Sequence, residues 1–144
     1  MRYYTGNITP SDKTVFVFGS NPEGRHGAGA ARTALQHFGA VYGQGEGLQG
    51  HAYAIPTKDL RIRGTRTINR DTIREGIRRM YACARDHPEL EFHIAYRNTY
   101  SKSLNGYTGI EIIRLFIDAG PIPDNVYVSE EWYRTGMFGN LRTY

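Results

Sequence analysis

Four consecutive apolar residues, Val15, Phe16, Val17 and Phe18, stop at Gly19 and open into a glycine-dense segment, "GSNPEGRHGAGA". A strand with one wet face alternates apolar and polar residues; an unbroken apolar run needs apolar neighbours on both faces, as in a sheet covered by helices. Gly27 to Phe38 then reads as a helix. A helix that only had to be stable would not begin on glycine, which costs about 1 kcal/mol relative to alanine. Glycine there admits positive φ and lets a ligand come close to the main chain. The first turn of such a helix offers unpaired N–H groups and the positive end of its dipole, which suits phosphate.

The rest of the chain continues the strand–helix alternation. "HAYAIPT" is a second strand stopped by Pro56. Asn69 to Arg85 is a helix with Ile73, Ile77, Met80, Tyr81 and Ala84 at helical spacing, closed by "DHP". "LEFHIAY" is a third strand. Thr108 to Asp118 is a helix with Ile110, Ile113, Phe116 and Ile117 facing inward. "NVYVS" is a fourth strand, and Arg2 to Tyr4 adds an edge. Strands alternating with helices predict an α/β fold with crossover connections. Ligands of such sheets sit at the carboxyl ends of the strands, where the glycine-rich segment lies.

The 144 residues predict one domain, 1–144, and 40% hydrophobic with 22% charged residues is a globular composition. No apolar run reaches the ~20 residues of a membrane span, and "MRYYTGNITP" lacks a signal-type apolar core, so no membrane association and a cytoplasmic location are expected. The one cysteine, Cys83, reads as a small packed hydrophobe; His37, His51 and His93 lack metal spacing, so no metal and no cofactor are expected. The net charge of +4 favours anionic partners. Seven arginines, Arg61, Arg63, Arg66, Arg70, Arg74, Arg78 and Arg79, crowd one stretch, readable as a solvated face or as a rim for nucleic acid. The C-terminal aromatics Trp132, Tyr133, Phe138 and Tyr144 are expected to cover a sheet edge.

Two phosphate-binding fingerprints fail. No Lys-Ser/Thr pair follows the glycines, as a P-loop requires, and Gly27-Ala28-Gly29 is followed by Ala30, Ala31 and Arg32 rather than a third glycine.

"TGNIT", a buried strand, "GSN", the glycine-rich loop, a helix ending in "FGA" and a strand ending in "IPTKD" resemble the macro domain. "HGAGAA" and Thr57-Lys58 are similar to the terminal ADP-ribose glycohydrolase-like subfamily. "FGSN", "GRHGAGAA", "YGQGEGLQG" and "YAIPTKD" resemble macro-like proteins of bacteriophages. The resemblance runs from about Tyr4 to Val128 and is densest from Val15 to Asp59. It implies a three-layer α/β/α fold with a mixed central sheet. It also implies a ligand, ADP-ribose or a related NAD-derived nucleotide, with its diphosphate across two loops.

By the same resemblance, Asn7 and Ile8 stand at the adenine end, Asn7 in place of an aspartate. Gly19, Ser20, Gly24, Arg25, His26, Gly27, Ala28 and Gly29 belong to the first phosphate loop, where His26 would pair with phosphate or donate a proton, and Asn21 faces the distal ribose. Ser103, Leu104, Asn105, Gly106 and Tyr107 stand in the second phosphate loop, where "YSKSLNGYT" lacks the usual glycines. The aspartate of the commonest hydrolytic type is replaced by Ala31. The glycohydrolase-like lysine is matched by Lys58, and the aspartate that accompanies it by Asn105. Lys58 would attack the distal ribose if desolvation lowered its pKa. The missing acid would come from Asp59, Glu46, Glu23 or His26. "GQGEGLQG" is expected to form a lid over the ribose, with Glu46 toward the sugar.

Three functions remain open at this level. One is hydrolysis of an ADP-ribosyl or ADP-ribose ester bond. Another is capture of an NAD-derived nucleotide or an ADP-ribosylated target without turnover, which in a phage setting would blunt a host defence signal. The third is nucleic-acid binding through the arginine-rich stretch, presenting ADP-ribosylated DNA or RNA to the pocket.

Overall fold

Strand β2, Thr14–Ser20, is the spine of the molecule. In the computed structural model, which describes residues 1–139, its side chains alternate between two cores. Val15 and Val17 join Tyr53, Ile55, Phe92 and Ile94 beneath the helices α2 (Arg70–Asp86) and α3 (Gly109–Asp118). Phe16 and Phe18 join Ala31, Ala34, Phe38, Ala52 and Ala54 beneath α1 (Gly29–His37). The unbroken apolar run is therefore explained: each face of β2 meets a helix layer. Burying each such large side chain contributes about 1.5–3 kcal/mol.

Six strands form one mixed sheet in the order β1-β6-β5-β2-β4-β3. These are β1 Arg2–Tyr4, β3 Gly47–Gln49, β4 Ala52–Pro56, β5 Glu91–Ile94 and β6 Val126–Ser129, with β2 as given. All neighbours pair in parallel except β3 with β4. The result is an α/β fold, as the alternation predicts, with helices on both faces of a mixed sheet. Strand β3 is absent from the sequence-based expectation; it lies inside "GQGEGLQG", where a lid was expected. A short helix α4, Glu130–Tyr133, follows β6 directly.

Helix α2 buries Ile73, Ile77, Met80, Tyr81 and Ala84, the five residues its spacing singled out. Helix α3 is turned slightly from expectation. Ile113 and Phe116 are buried, but Ile112 and Leu115 take the inward places assigned to Ile110 and Ile117, which are only half-buried. Its broad apolar face meets the sheet core and α2 together. Trp132 and Phe138 sink into this same core, and among the described C-terminal aromatics Tyr133 alone behaves as an edge cover, stacking on Tyr3 of β1 at 4.3 Å. Tyr144 lies outside the described residues. Cys83 is half-buried against the large core, and burial pushes its thiol pKa up. Among the described residues no helix is long and apolar enough to cross a membrane.

The four helices begin differently. In α2 the Asn69 side chain accepts from the Thr72 N–H, in α3 Thr108 and Glu111 form a capping box, and in α4 Ser129 accepts from the Trp132 N–H. Helix α1 starts after Ala28 with no side-chain cap and no acidic residue in its first turn. Its first amides are left to whatever lies in front of them.

Candidate functional site

A cleft of about 780 Å³ lies at the carboxyl ends of β2, β4 and β5, in front of the α1 N-terminus. The topology places it there. From β2 the chain passes through α1 to β4 on one side; from β4 it crosses by α2 to β5 on the other side of β2. The loops leaving β2 and β5 therefore diverge and leave a crevice at the switch point.

The glycines of the first loop serve two different ends. Gly24, with φ +69°, lies so close to the 43–44 backbone that a β-carbon would stand 2.3 Å from the Gly43 carbonyl carbon. A β-carbon on Gly45 would meet the Asn21 carbonyl oxygen at 2.4 Å. The Gly43 N–H donates to the Gly24 carbonyl at 2.8 Å, and the Ser20 hydroxyl donates to the Gly45 carbonyl. Two glycine-rich segments thus pack main chain against main chain. Gly27 and Gly29 are different: a β-carbon on either meets nothing within 4 Å. With Ala28 between them, they form the bare wall of the cleft beside the α1 amides. Arg25 also lines it.

"GQGEGLQG" is consequently the back support of the loop and not a lid. Gln44 and Gln49 hydrogen-bond within the segment, and Glu46 is drawn to Arg79 of α2 at 2.6 Å, away from the cleft. His26 is another correction. Its ring is buried, edge-on to Phe18, and Nε2 donates to the Gln44 carbonyl at 3.0 Å. It anchors the two segments to each other and does not line the cleft. Asn21 does line it, but both ends of its carboxamide hold the Arg25 main chain, at 2.8 and 3.0 Å. Its groups close the loop where a ribose contact was expected.

Lys58 lines the cleft between Thr57 and Leu60, whereas its neighbour Asp59 does not. Asp59 accepts both guanidinium contacts of Arg61, at 3.0 and 2.9 Å, together with the Arg61 N–H. These bonds lower its pKa to about 2. Glu23 approaches the same guanidinium at 3.2 Å. Asp59, Glu23, Glu46 and His26 were the four candidate acids for Lys58, and each is engaged elsewhere.

The far wall follows β5. Ser103, Leu104 and Asn105 line the cleft, with Lys102 beside them; Gly106 and Tyr107 do not. Gly106 closes against Thr65, and buried Tyr107 donates its hydroxyl to the Ile68 carbonyl. Asn105 donates from Nδ2 to the Tyr96 hydroxyl at 3.1 Å and accepts the Tyr107 N–H at 2.9 Å. It is a positioning group for the phenol of Tyr96, whose ring stacks on Trp132. Burial raises the Tyr96 pKa, so the phenol stays neutral. Arg97 lines the cleft and donates to the Gly6 carbonyl, tying the N-terminal segment to this end. Asn7 is exposed and Ile8 is half-buried against the Phe16–Phe18 core; neither borders the cleft.

Sequence reasoning missed Tyr42, Leu60, Tyr96 and Arg97. The one available signal was position, since "AYRN" directly follows a core strand. The arginine-rich stretch is largely neutralised. Six of its seven arginines meet carboxylates: Arg61 with Asp59 and Glu23, Arg66 and Arg70 with Glu111, Arg74 with Asp71, Arg78 with Glu75, and Arg79 with Glu46. Arg66, at φ +55°, also donates its N–H to the Asn105 carbonyl at 2.8 Å and so braces the far wall.

The charged side chains of the cleft wall are Arg25, Lys58, Arg97 and Lys102; among the described residues no carboxylate and no imidazole lines it. No protein-family model, curated protein or solved structure matches this chain.

Proposed function

We propose that the protein captures ADP-ribose or a related NAD-derived nucleotide, free or on an ADP-ribosylated target, and holds it without turnover. One observation carries this: among the described residues, four cations and no acid line the cleft in front of the uncapped α1 N-terminus and the bare Gly27–Gly29 main chain. Main-chain amides, the positive end of a helix dipole and cations from three loops together favour a diphosphate. The three-layer sandwich with its mixed sheet agrees with the fold that the resemblance to the macro domain implies. Glycosyl hydrolysis calls for a proton donor and acceptor at the scissile bond, and every candidate acid named from the sequence is held elsewhere.

A second function keeps one supporting observation. Lys58 and Tyr96 both lie in the cleft wall, and a lysine nucleophile with a phenol as proton donor would supply a hydrolytic pair. Calorimetry with ADP-ribose, followed by chromatography of the mixture and of an ADP-ribosylated ester substrate, separates the two. Saturable binding with ligand and ester recovered intact is the expected result. Release of ADP-ribose that disappears in Lys58→Ala would replace capture by hydrolysis, and absence of ADP-ribose binding would overturn both.

A further inference from the structure

Three large apolar side chains line the cleft and yet face water. Tyr42 is 61% exposed, Leu104 72% and Leu60 44%. They come from three separate segments: the turn after α1, the loop after β5 and the loop after β4. Isolated exposed apolar residues are ordinary, but several gathered at the mouth of one cleft mark a contact surface.

The backbone beneath them is pinned. The Val41 N–H donates to Gln49 Oε1 at 2.7 Å and the Gly43 N–H to the Gly24 carbonyl at 2.8 Å, so Tyr42 is gripped on both sides. Leu104 tips a turn closed by the Ser103 N–H on the Tyr107 carbonyl at 3.0 Å and the Gly106 N–H on the Ser103 carbonyl at 2.9 Å. Leu60 lies between Asp59, whose N–H donates to Thr67 Oγ1 at 2.8 Å, and Arg61, whose N–H donates to Asp59 Oδ1 at 3.0 Å. Fixed turns hold apolar groups in water with little freedom to fold them away. That arrangement is pre-organised for a ligand group.

We infer that the cleft takes a dinucleoside diphosphate, two nucleosides joined through one pyrophosphate, and that the second base lies at the mouth on Tyr42, flanked by Leu60 and Leu104. This rests on the nucleotide capture proposed above and names the ligand more closely. The kinds of group that line the cleft support this. They are the buried apolar Phe18 and Ala31, the cations Arg25, Lys58, Arg97 and Lys102 with the bare Gly27–Gly29 main chain, and the exposed Tyr42, Leu60 and Leu104. A pyrophosphate with a planar base at each end calls for the same three kinds of contact. The volume of about 780 Å³ lies in the upper part of the ~300–1,000 Å³ range for small-molecule sites. Base stacking on an aromatic ring needs no particular hydrogen-bond pattern, so either a purine or a nicotinamide ring fits the mouth.

Calorimetry on the whole chain, with ADP-ribose, NAD and diadenosine diphosphate as probes, tests this. The two dinucleotides should bind about tenfold more tightly than ADP-ribose. Tyr42→Ala should abolish the preference for the two dinucleotides over ADP-ribose, and Tyr42→Phe should retain it. Equal affinity for all three ligands overturns this inference and leaves nucleotide capture standing, as does equal weakening of all three in Tyr42→Ala. Binding of none of the probes overturns both.

Discussion

The Tyr96 hydroxyl occupies the space that a β-carbon on Gly19 would need, 2.2 Å from where that carbon would stand. Gly19 ends β2 and Tyr96 follows β5, so this one contact sets how closely the two diverging loops approach at the base of the cleft. The Tyr96 hydroxyl is held in place by Asn105.

Gly19→Ala should therefore lower stability by about 1–3 kcal/mol, the usual cost of overpacking. Removing the hydroxyl in Tyr96→Phe should recover part of that loss in the double variant, because the two changes share one space. Urea unfolding of the four proteins measures the coupling. Strict additivity would show that the contact is relieved without Tyr96.

Gly27→Glu tests the bare wall without disturbing the fold. A side chain at Gly27 meets nothing within 4 Å, and its φ is not in the left-handed region. The variant should melt within a few degrees of the parent and lose ADP-ribose binding, since bulk and negative charge enter the diphosphate place. Retained affinity would remove the Gly27–Gly29 amides from the ligand site.

Replacing Arg25, Lys58 or Lys102 by alanine should each weaken ADP-ribose binding about three- to tenfold, the range for partly solvated charge contacts. Affinity of the parent should fall as salt rises, because the Debye length shrinks from about 10 Å at 0.1 M to about 3 Å at 1 M. Titrations at three ionic strengths decide this.

Asp59 also predicts a pH dependence. Its folded pKa of about 2 lies below the ordinary aspartate value, so the unfolded chain binds more protons between roughly pH 2 and pH 4. The stabilisation is present above pH 4 and is lost as pH falls through the folded pKa. The acid limb of the unfolding curve should be shallower in Asp59→Asn and in Arg61→Ala than in the parent. Unchanged limbs would mean that Arg61 does not hold the carboxylate in solution.

Much of this architecture was legible from local pattern. The run Val15–Phe18 announces a strand covered on both faces, and Ile73, Ile77, Met80, Tyr81 and Ala84 announce the buried face of α2; both are as the structure has them. Strand β3 was not legible. It is three residues long and carries a glycine, and it is ordered by antiparallel pairing with β4 and by Gln49 reaching Val41. Its stabilising partners lie outside any window in which a period can be read.

The candidate site divides in the same way. Local sequence determined that glycines, small residues and an uncapped helix would follow a core strand, because strand, turn and helix preferences act over a few neighbours. The tertiary structure alone decided which polar groups face the cleft. His26 turned to the Gln44 carbonyl, Glu46 to Arg79 and Asp59 to Arg61, while Tyr42, Tyr96 and Arg97 came to the cleft wall. A charged or polar side chain points where its desolvation is best compensated. For Glu46 that partner is more than thirty residues away in sequence, and only the folded chain brings it within reach.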